Sequence, residues 1–150
     1  MGLLVILVSA CLVGLNTKYN GGNNYNSKIF NLVKEGKAIF VCPEQLGGLS
    51  TPRVSSEIKV IDGKRYVFDK FGNDVSKEFF CGANEVLELV KKLDIKTAIL
   101  QSRSPSCGIN KIYDGSFSGN IIDGNGILAQ MLLDIGIEVI DVKDIDNYEF

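Results

Sequence analysis

Residues 3–8 read LLVILV, and Ser9-Ala10-Cys11 follows at once. The run is short, wholly apolar and free of the alternation that marks a strand with one wet face. It reads as a β-strand buried on both sides, the signature of a parallel sheet. Three further runs rich in β-branched residues share its character: Ala38–Val41 (AIFV), Thr97–Leu100 (TAIL) and residues 137–142 (IEVIDV). Helical apolar stripes lie between them, over residues 27–35, 83–93 and 126–135. The first stops at Gly36 and the last at Gly136. Helices alternating with strands imply βαβ units with right-handed crossovers. The predicted architecture is therefore α/β: a Rossmann-like open, mostly parallel sheet with flanking helices. One segment breaks the rhythm. Residues 57–68 (EIKVIDGKRYVF) alternate apolar and polar around Asp62-Gly63, which predicts an inserted β-hairpin between the second and third units.

The chain of 150 residues is the length of one ordinary domain, and residues 1–150 are read as one. Apolar residues at 45% and charged residues at 23% exclude a disordered chain. A net charge of −2 supplies no footprint for gripping a phosphate backbone, so nucleic acid is not an expected partner. There is no histidine, which removes Ser-His-Asp triads, Cys-His dyads and imidazole general bases. The apolar N-terminus is far short of a membrane span and has no preceding Lys or Arg, so neither a membrane nor export is expected. Four cysteines without a C-x-x-C pair fit a reduced, cytoplasmic setting better than a disulfide framework. Residues 141–150 are acidic and are expected to trail along the surface.

The thiols acquire meaning once they are set on the strands. Cys11 follows the first strand, Cys42 ends the second, and Cys107 lies in the loop after the third. In an open parallel sheet all strand C-termini point to one edge, where ligands bind. The three thiols should meet there, although each alone could be an ordinary buried small residue. Cys81, in Phe79-Phe80-Cys81-Gly82-Ala83, is assigned to the entrance of a crossover helix and read as structural. Glu44 stands two residues from Cys42, and Gly47-Gly48 nearby would let backbone approach a ligand. Ser102, Arg103, Ser104 and Ser106 surround Cys107 with hydroxyls and a guanidinium able to bond sulfur or an anion. Two segments stay open. Tyr113 to Gly119 reads either as a pocket wall or as a turn-rich strand pair, and residues 15–26 as a lid or a passive loop.

Val8-Ser9-Ala10-Cys11-Leu12-Val13-Gly14, Tyr19-Asn20-Gly21, Cys42-Pro43-Glu44, Gly47-Gly48-Leu49, Pro52-Arg53, the run from Ser102 to Gly108, Ile112-Tyr113-Asp114-Gly115 and Phe117-Ser118-Gly119 together resemble the DUF523 family. The resemblance spans nearly the whole chain. That family includes thiouracil desulfidases, which carry a [4Fe-4S] cluster held by three cysteines. By resemblance the ligands here would be Cys11, Cys42 and Cys107, with one iron left open. An open iron is a soft Lewis acid for a thiocarbonyl sulfur, and water adding to the polarised carbon needs no net electron transfer. The resemblance thus implies a non-redox desulfidase acting on a small thiocarbonyl substrate such as a thiolated nucleobase. Glu44 would move protons. Ser102 and Ser104 would hold substrate or water. Asn20 stands where the family often has Asp. Two other readings compete: a non-catalytic metal-binding module, and a thiol redox or sulfur-carrier protein needing one low-pKa cysteine.

Overall fold

A computed structural model describes residues 4–150. In chain order its elements are β1 (Ile6–Ser9), α1 (Ser27–Lys34), β2 (Ala38–Val41), α2 (Pro43–Leu46), β3 (Ser56–Ile61), β4 (Lys64–Asp69), α3 (Ser76–Lys92), β5 (Thr97–Leu100), β6 (Lys111–Tyr113), β7 (Ile121–Asp123), α4 (Ile127–Asp134) and β8 (Glu138–Asp141). Short 3-10 turns follow β1 (Ala10–Val13) and β8 (Val142–Asn147).

The expected parallel sheet is present, in the order β2-β1-β5-β8, with every pairing parallel. Of the first predicted strand, residue 3 lies outside the described residues, and the strand runs on through Ser9. Leu7 and Val8 are both fully buried, as the unbroken apolar run requires. They face different cores. Leu7, Ala98 and Leu100 pack with Phe79, Val86 and Val90 of α3 and Leu128 and Leu132 of α4. Val8, Ile99 and Ile140 pack with Ile29 and Leu32 of α1 on the other face. Asn26 starts α1 by accepting the backbone N–H groups of Lys28 (3.0 Å) and Ile29 (3.2 Å) through its side chain.

The order also fixes where a ligand can sit. From β1 the chain moves outward to β2, then crosses back to β5 on the far side of β1. Neighbouring loops on β1 and β5 therefore diverge, and this topological switch opens a crevice at the strand C-termini.

The inserted hairpin is present as β3 and β4, paired Ser56↔Asp69 to Ile61↔Lys64. Asp62 and Gly63 take φ values of 50° and 78°, the left-handed pair that a two-residue turn of this type demands. Ile58 and Val67 turn inward to the core.

Three expectations need correction. The crossover helix predicted from residue 83 begins at Ser76. Cys81 is therefore not at its entrance but inside it, and it is exposed rather than buried. Gly82, within the helix, serves close packing: a Cβ there would lie 1.8 Å from the Pro43 carbonyl oxygen. Gly47 answers it, since its Cβ would lie 1.9 Å from the Glu78 carbonyl oxygen. That glycine lets backbone approach a helix, not a ligand. The C-terminal segment runs along the surface as expected at residues 143–144 and 146–149, but it is anchored there. Asp141 and Ile145 are buried, and Lys28 Nζ donates to the carbonyls of Ile145 and Tyr148, both at 3.1 Å.

The α2–α3 contact holds the segment that begins with Cys42. Gly82→Ala should therefore destabilise, although alanine is normally the better helix former. The backbone must move apart, at a cost of about 3 kcal/mol and roughly 10 °C in Tm. A thermal melt unchanged to within about 2 °C would contradict this packing argument.

Candidate functional site

The crevice is a cavity of about 450 Å³ at the C-terminal edge of the sheet. Cys11, Cys42 and Cys107 all line it, together with Glu44, Ser102 and Ser104. Each thiol is brought there by its own device. Cys11 lies in the 3-10 turn that leaves β1. Cys42 is the N-cap of α2, and Pro43 begins that helix with its φ already suited to it. Cys107 sits in a loop tied to the start of α4. The backbone N–H groups of Gly126, Ile127 and Ala129 donate to the carbonyls of Gly108 (2.7 Å), Pro105 (2.8 Å) and Ser106 (3.1 Å). Donors that a helix start leaves unpaired are thereby spent on holding the thiol loop.

The thiols feel one another. Burial is the main force raising the Cys107 thiol well above its ordinary range; Cys11, Cys42 and Glu44 add to it, and the Ser9 hydroxyl opposes. Burial also raises Cys11, opposed by a hydrogen bond from Asn24 and reinforced by Cys42. Asn24 Nδ2 donates to Cys11 Sγ at 3.5 Å. Cys42 Sγ lies 3.8 Å from the Thr17 carbonyl. A thiol redox protein needs an exposed, easily ionised sulfur, and Cys11 and Cys107 have the opposite character. Cys81 takes no part in the cavity.

The chemistry of the donor set fits an iron–sulfur cluster. A cuboidal cluster gives each thiolate a different iron and so keeps its ligands apart. Three soft sulfurs around one cavity, two of them with polar donors, fit that demand.

Glu44 is more than a solvated loop charge. Its side chain is only 14% exposed and paired with Arg53, whose Nε lies 3.0 Å from Oε1. Ser106 Oγ donates to Oε2 at 3.0 Å. Ser102 Oγ donates to the Asp141 carboxylate at the end of β8. Ser104 Oγ accepts the backbone N–H groups of Ser106 (3.1 Å) and Cys107 (3.0 Å). Arg103 lies over the Tyr113 ring, 5.9 Å from its centroid. Tyr113 belongs both to a strand pair, β6 with β7, and to the cavity wall, so its two readings are not exclusive. From residues 15–26, Thr17, Lys18, Tyr19 and Asn24 reach the cavity.

The sequence alone gives no site role to Arg53, Asn24 or Ser9, and it places Ser106 beside Cys107 without showing its bond to Glu44. Pro52-Arg53 carries a signal only as a motif. Asn24 is one of several asparagines in its stretch, and nothing local singles it out.

Residues 6–144 match the family described as 2-thiouracil desulfurase. The chain is 40% identical over 149 residues to YbbK, an uncharacterised protein of Bacillus subtilis (strain 168), covering 95% of this chain and 99% of that one. It also resembles a solved structure titled [4Fe-4S]-dependent thiouracil desulfidase TudS, with a TM-score of 0.87 and 36% identity over 96% of this chain and 94% of that one. The match from β1 to the turn after β8 takes in all three cavity thiols and Glu44, and on it the chain belongs to the 2-thiouracil desulfurase family.

Proposed function

We propose that this protein is a desulfidase that hydrolyses a thiocarbonyl compound of the thiolated-nucleobase class, dependent on an iron–sulfur cluster. The balance is C=S plus water giving C=O plus hydrogen sulfide: both carbon–sulfur bonds are replaced by bonds to oxygen, and the two protons of water leave with sulfur. No electron donor is required. The observation that carries this reading is the meeting of three thiols, from three strand ends, with the Glu44 carboxylate in a single cavity. Family membership and the likeness to a [4Fe-4S]-dependent thiouracil desulfidase support it.

Cys11, Cys42 and Cys107 would hold the [4Fe-4S] cluster. When bound by three protein ligands, such a cluster supplies a soft Lewis acid for the thiocarbonyl sulfur. The remaining work falls to the chain. Glu44 accepts a proton from the attacking water and returns it to the departing sulfur, the task an imidazole performs elsewhere. Ser102, whose proton goes to Asp141, keeps lone pairs with which to orient water. Ser104, whose oxygen accepts two backbone N–H groups, keeps a proton to donate to a substrate heteroatom. A reducing compartment such as the cytoplasm suits these unpaired thiols. Among the described residues no helix is long and apolar enough to cross a membrane.

The test is anaerobic incubation of the cluster-loaded protein with 2-thiouracil and with 4-thiouracil, without reductant. Sulfide and uracil should appear in equal amounts from at least one of them. Uracil formation that depends on an added electron donor would reject hydrolysis. Brown protein that releases no sulfide from either thionated base would reject the substrate class. Colourless protein with one zinc per chain would instead favour the metal-binding module.

A further inference from the structure

Arg53 lies outside the catalytic roles assigned above, in the segment between α2 and β3. Its side chain is 8% exposed. The guanidinium spends donors in three directions. Nε meets Glu44 Oε1 at 3.0 Å, one terminal nitrogen meets the Ser50 carbonyl (3.2 Å) and Thr51 Oγ1 (2.9 Å), and the other meets the Thr17 carbonyl at 2.8 Å. Its backbone N–H donates to the Tyr19 carbonyl at 2.7 Å. One residue thus grips both the carboxylate and the Thr17–Tyr19 wall of the cavity.

A buried ion pair is a poor device for stability, because desolvation offsets most of its attraction. What a planar, forked donor delivers well is orientation. A glutamate has three side-chain torsions and, left alone, samples many positions. Here Arg53 holds one oxygen and Ser106 the other. We propose that Arg53 is the positioning residue of the reaction: its terminal nitrogens are anchored on the Thr17 and Ser50 carbonyls and the Thr51 hydroxyl, and with Ser106 as counter-hold on Oε2, its Nε–H on Oε1 fixes the Glu44 carboxylate toward the cavity. This rests on the reading of Glu44 as proton carrier. Removing the fork leaves the carboxylate present but misplaced, and a displacement of one ångström costs on the order of a hundredfold in rate.

The experiment compares cluster-loaded wild type, Arg53→Ala, Arg53→Lys, Glu44→Gln and the double variant Glu44→Gln/Arg53→Ala. Visible absorbance and iron per chain are read beside kcat and KM for the thionated base that the wild type turns over. Arg53→Ala should keep its iron and absorbance, lose about a hundredfold in kcat and change KM by less than about threefold. Added methylguanidinium should restore about tenfold of that loss in Arg53→Ala and leave wild type unchanged. Arg53→Lys, a point charge without the fork, should fall between. The double variant should be no slower than Glu44→Gln, since Arg53 acts through that carboxylate. The proposal is overturned if Arg53→Ala turns over within about twofold of wild type, or if its loss adds in full to that of Glu44→Gln. It is equally overturned if KM rises while kcat holds, or if Arg53→Ala and Arg53→Lys both lose their iron. Should Arg53→Ala melt before assay, Arg53→Lys decides by the same kcat and KM criteria. A slow Glu44→Gln beside a fast Arg53 variant rejects positioning alone, whereas a Glu44→Gln of wild-type rate rejects the proton-carrier reading itself.

Discussion

Single replacement of Cys11, Cys42 or Cys107 by serine should abolish the visible chromophore and sulfide release, whereas Cys81→Ser should keep both; this is the largest effect expected of any point change in the chain. The argument is positional. The three thiols come from the ends of β1 and β2 and the loop after β5, and no other cysteine reaches the cavity. Cys81 is exposed on α3 and stands apart from them. Loss of a proposed cluster ligand should exceed the cost of losing a residue that only hydrogen-bonds a ligand, about 10–100-fold, so each variant should lose more than about a hundredfold. Serine is close in size to cysteine, which keeps the fold intact as a control; a melt and a circular dichroism spectrum check that. The informative result is the fourth variant. If Cys81→Ser bleaches the protein, then a fourth protein thiolate is involved and no iron is left open for substrate. If one of the cavity serines keeps full iron content and turnover, the three-thiol assignment is wrong.

Much of this site could be read from sequence because it depends on strand ends, and strand ends were legible. An unbroken apolar run such as residues 3–8 needs burial on two faces, and two-faced burial needs a parallel sheet. The parallel sheet then sends every strand C-terminus to one edge, which is enough to bring Cys11, Cys42 and Cys107 together. The Asp62-Gly63 turn was equally legible, since only residues tolerant of positive φ make it. What sequence hid was contact across distance. Ser106 reaches Glu44 over 62 residues, and Arg53 reaches Thr17 over 36. Neither link leaves a local pattern. The start of α3 is a further case: the apolar stripe places the helix from residue 83, while the missing side chain of Gly82 admits the Pro43 carbonyl and the helix runs through it from Ser76. The acidic tail is legible as a surface segment, while the burial of Asp141 and Ile145 within it depends on the neighbouring layers.

Glu44→Gln separates a proton carrier from a structural anchor, and the expectation is a fall in sulfide release of about 10²- to 10⁴-fold with the cluster retained. Glutamine keeps the size of the side chain and an oxygen for Arg53, so the cavity wall stays in place. It cannot take a proton from water. Stability should also fall, because the Arg53 guanidinium, 8% exposed, loses its anion. Arg53 retains the carbonyls of Thr17 and Ser50 and the Thr51 hydroxyl as acceptors, which should hold the loss near the low end for a broken buried pair, about 2–3 kcal/mol. Both losses follow from one residue, so a second substitution is needed to tell them apart. Glu44→Asp preserves the charge and the chemistry but shortens the reach by one methylene, drawing the carboxylate away from Arg53, Ser106 or both. If Glu44 only anchored Arg53, aspartate should restore turnover in proportion to the stability it restores. If Glu44 carries protons at a defined point in the cavity, aspartate should recover stability better than rate. A Glu44→Gln protein that is less stable yet turns over at the wild-type rate would leave the carboxylate a purely structural part, and the proton would have to travel through Ser102 or Ser104 instead.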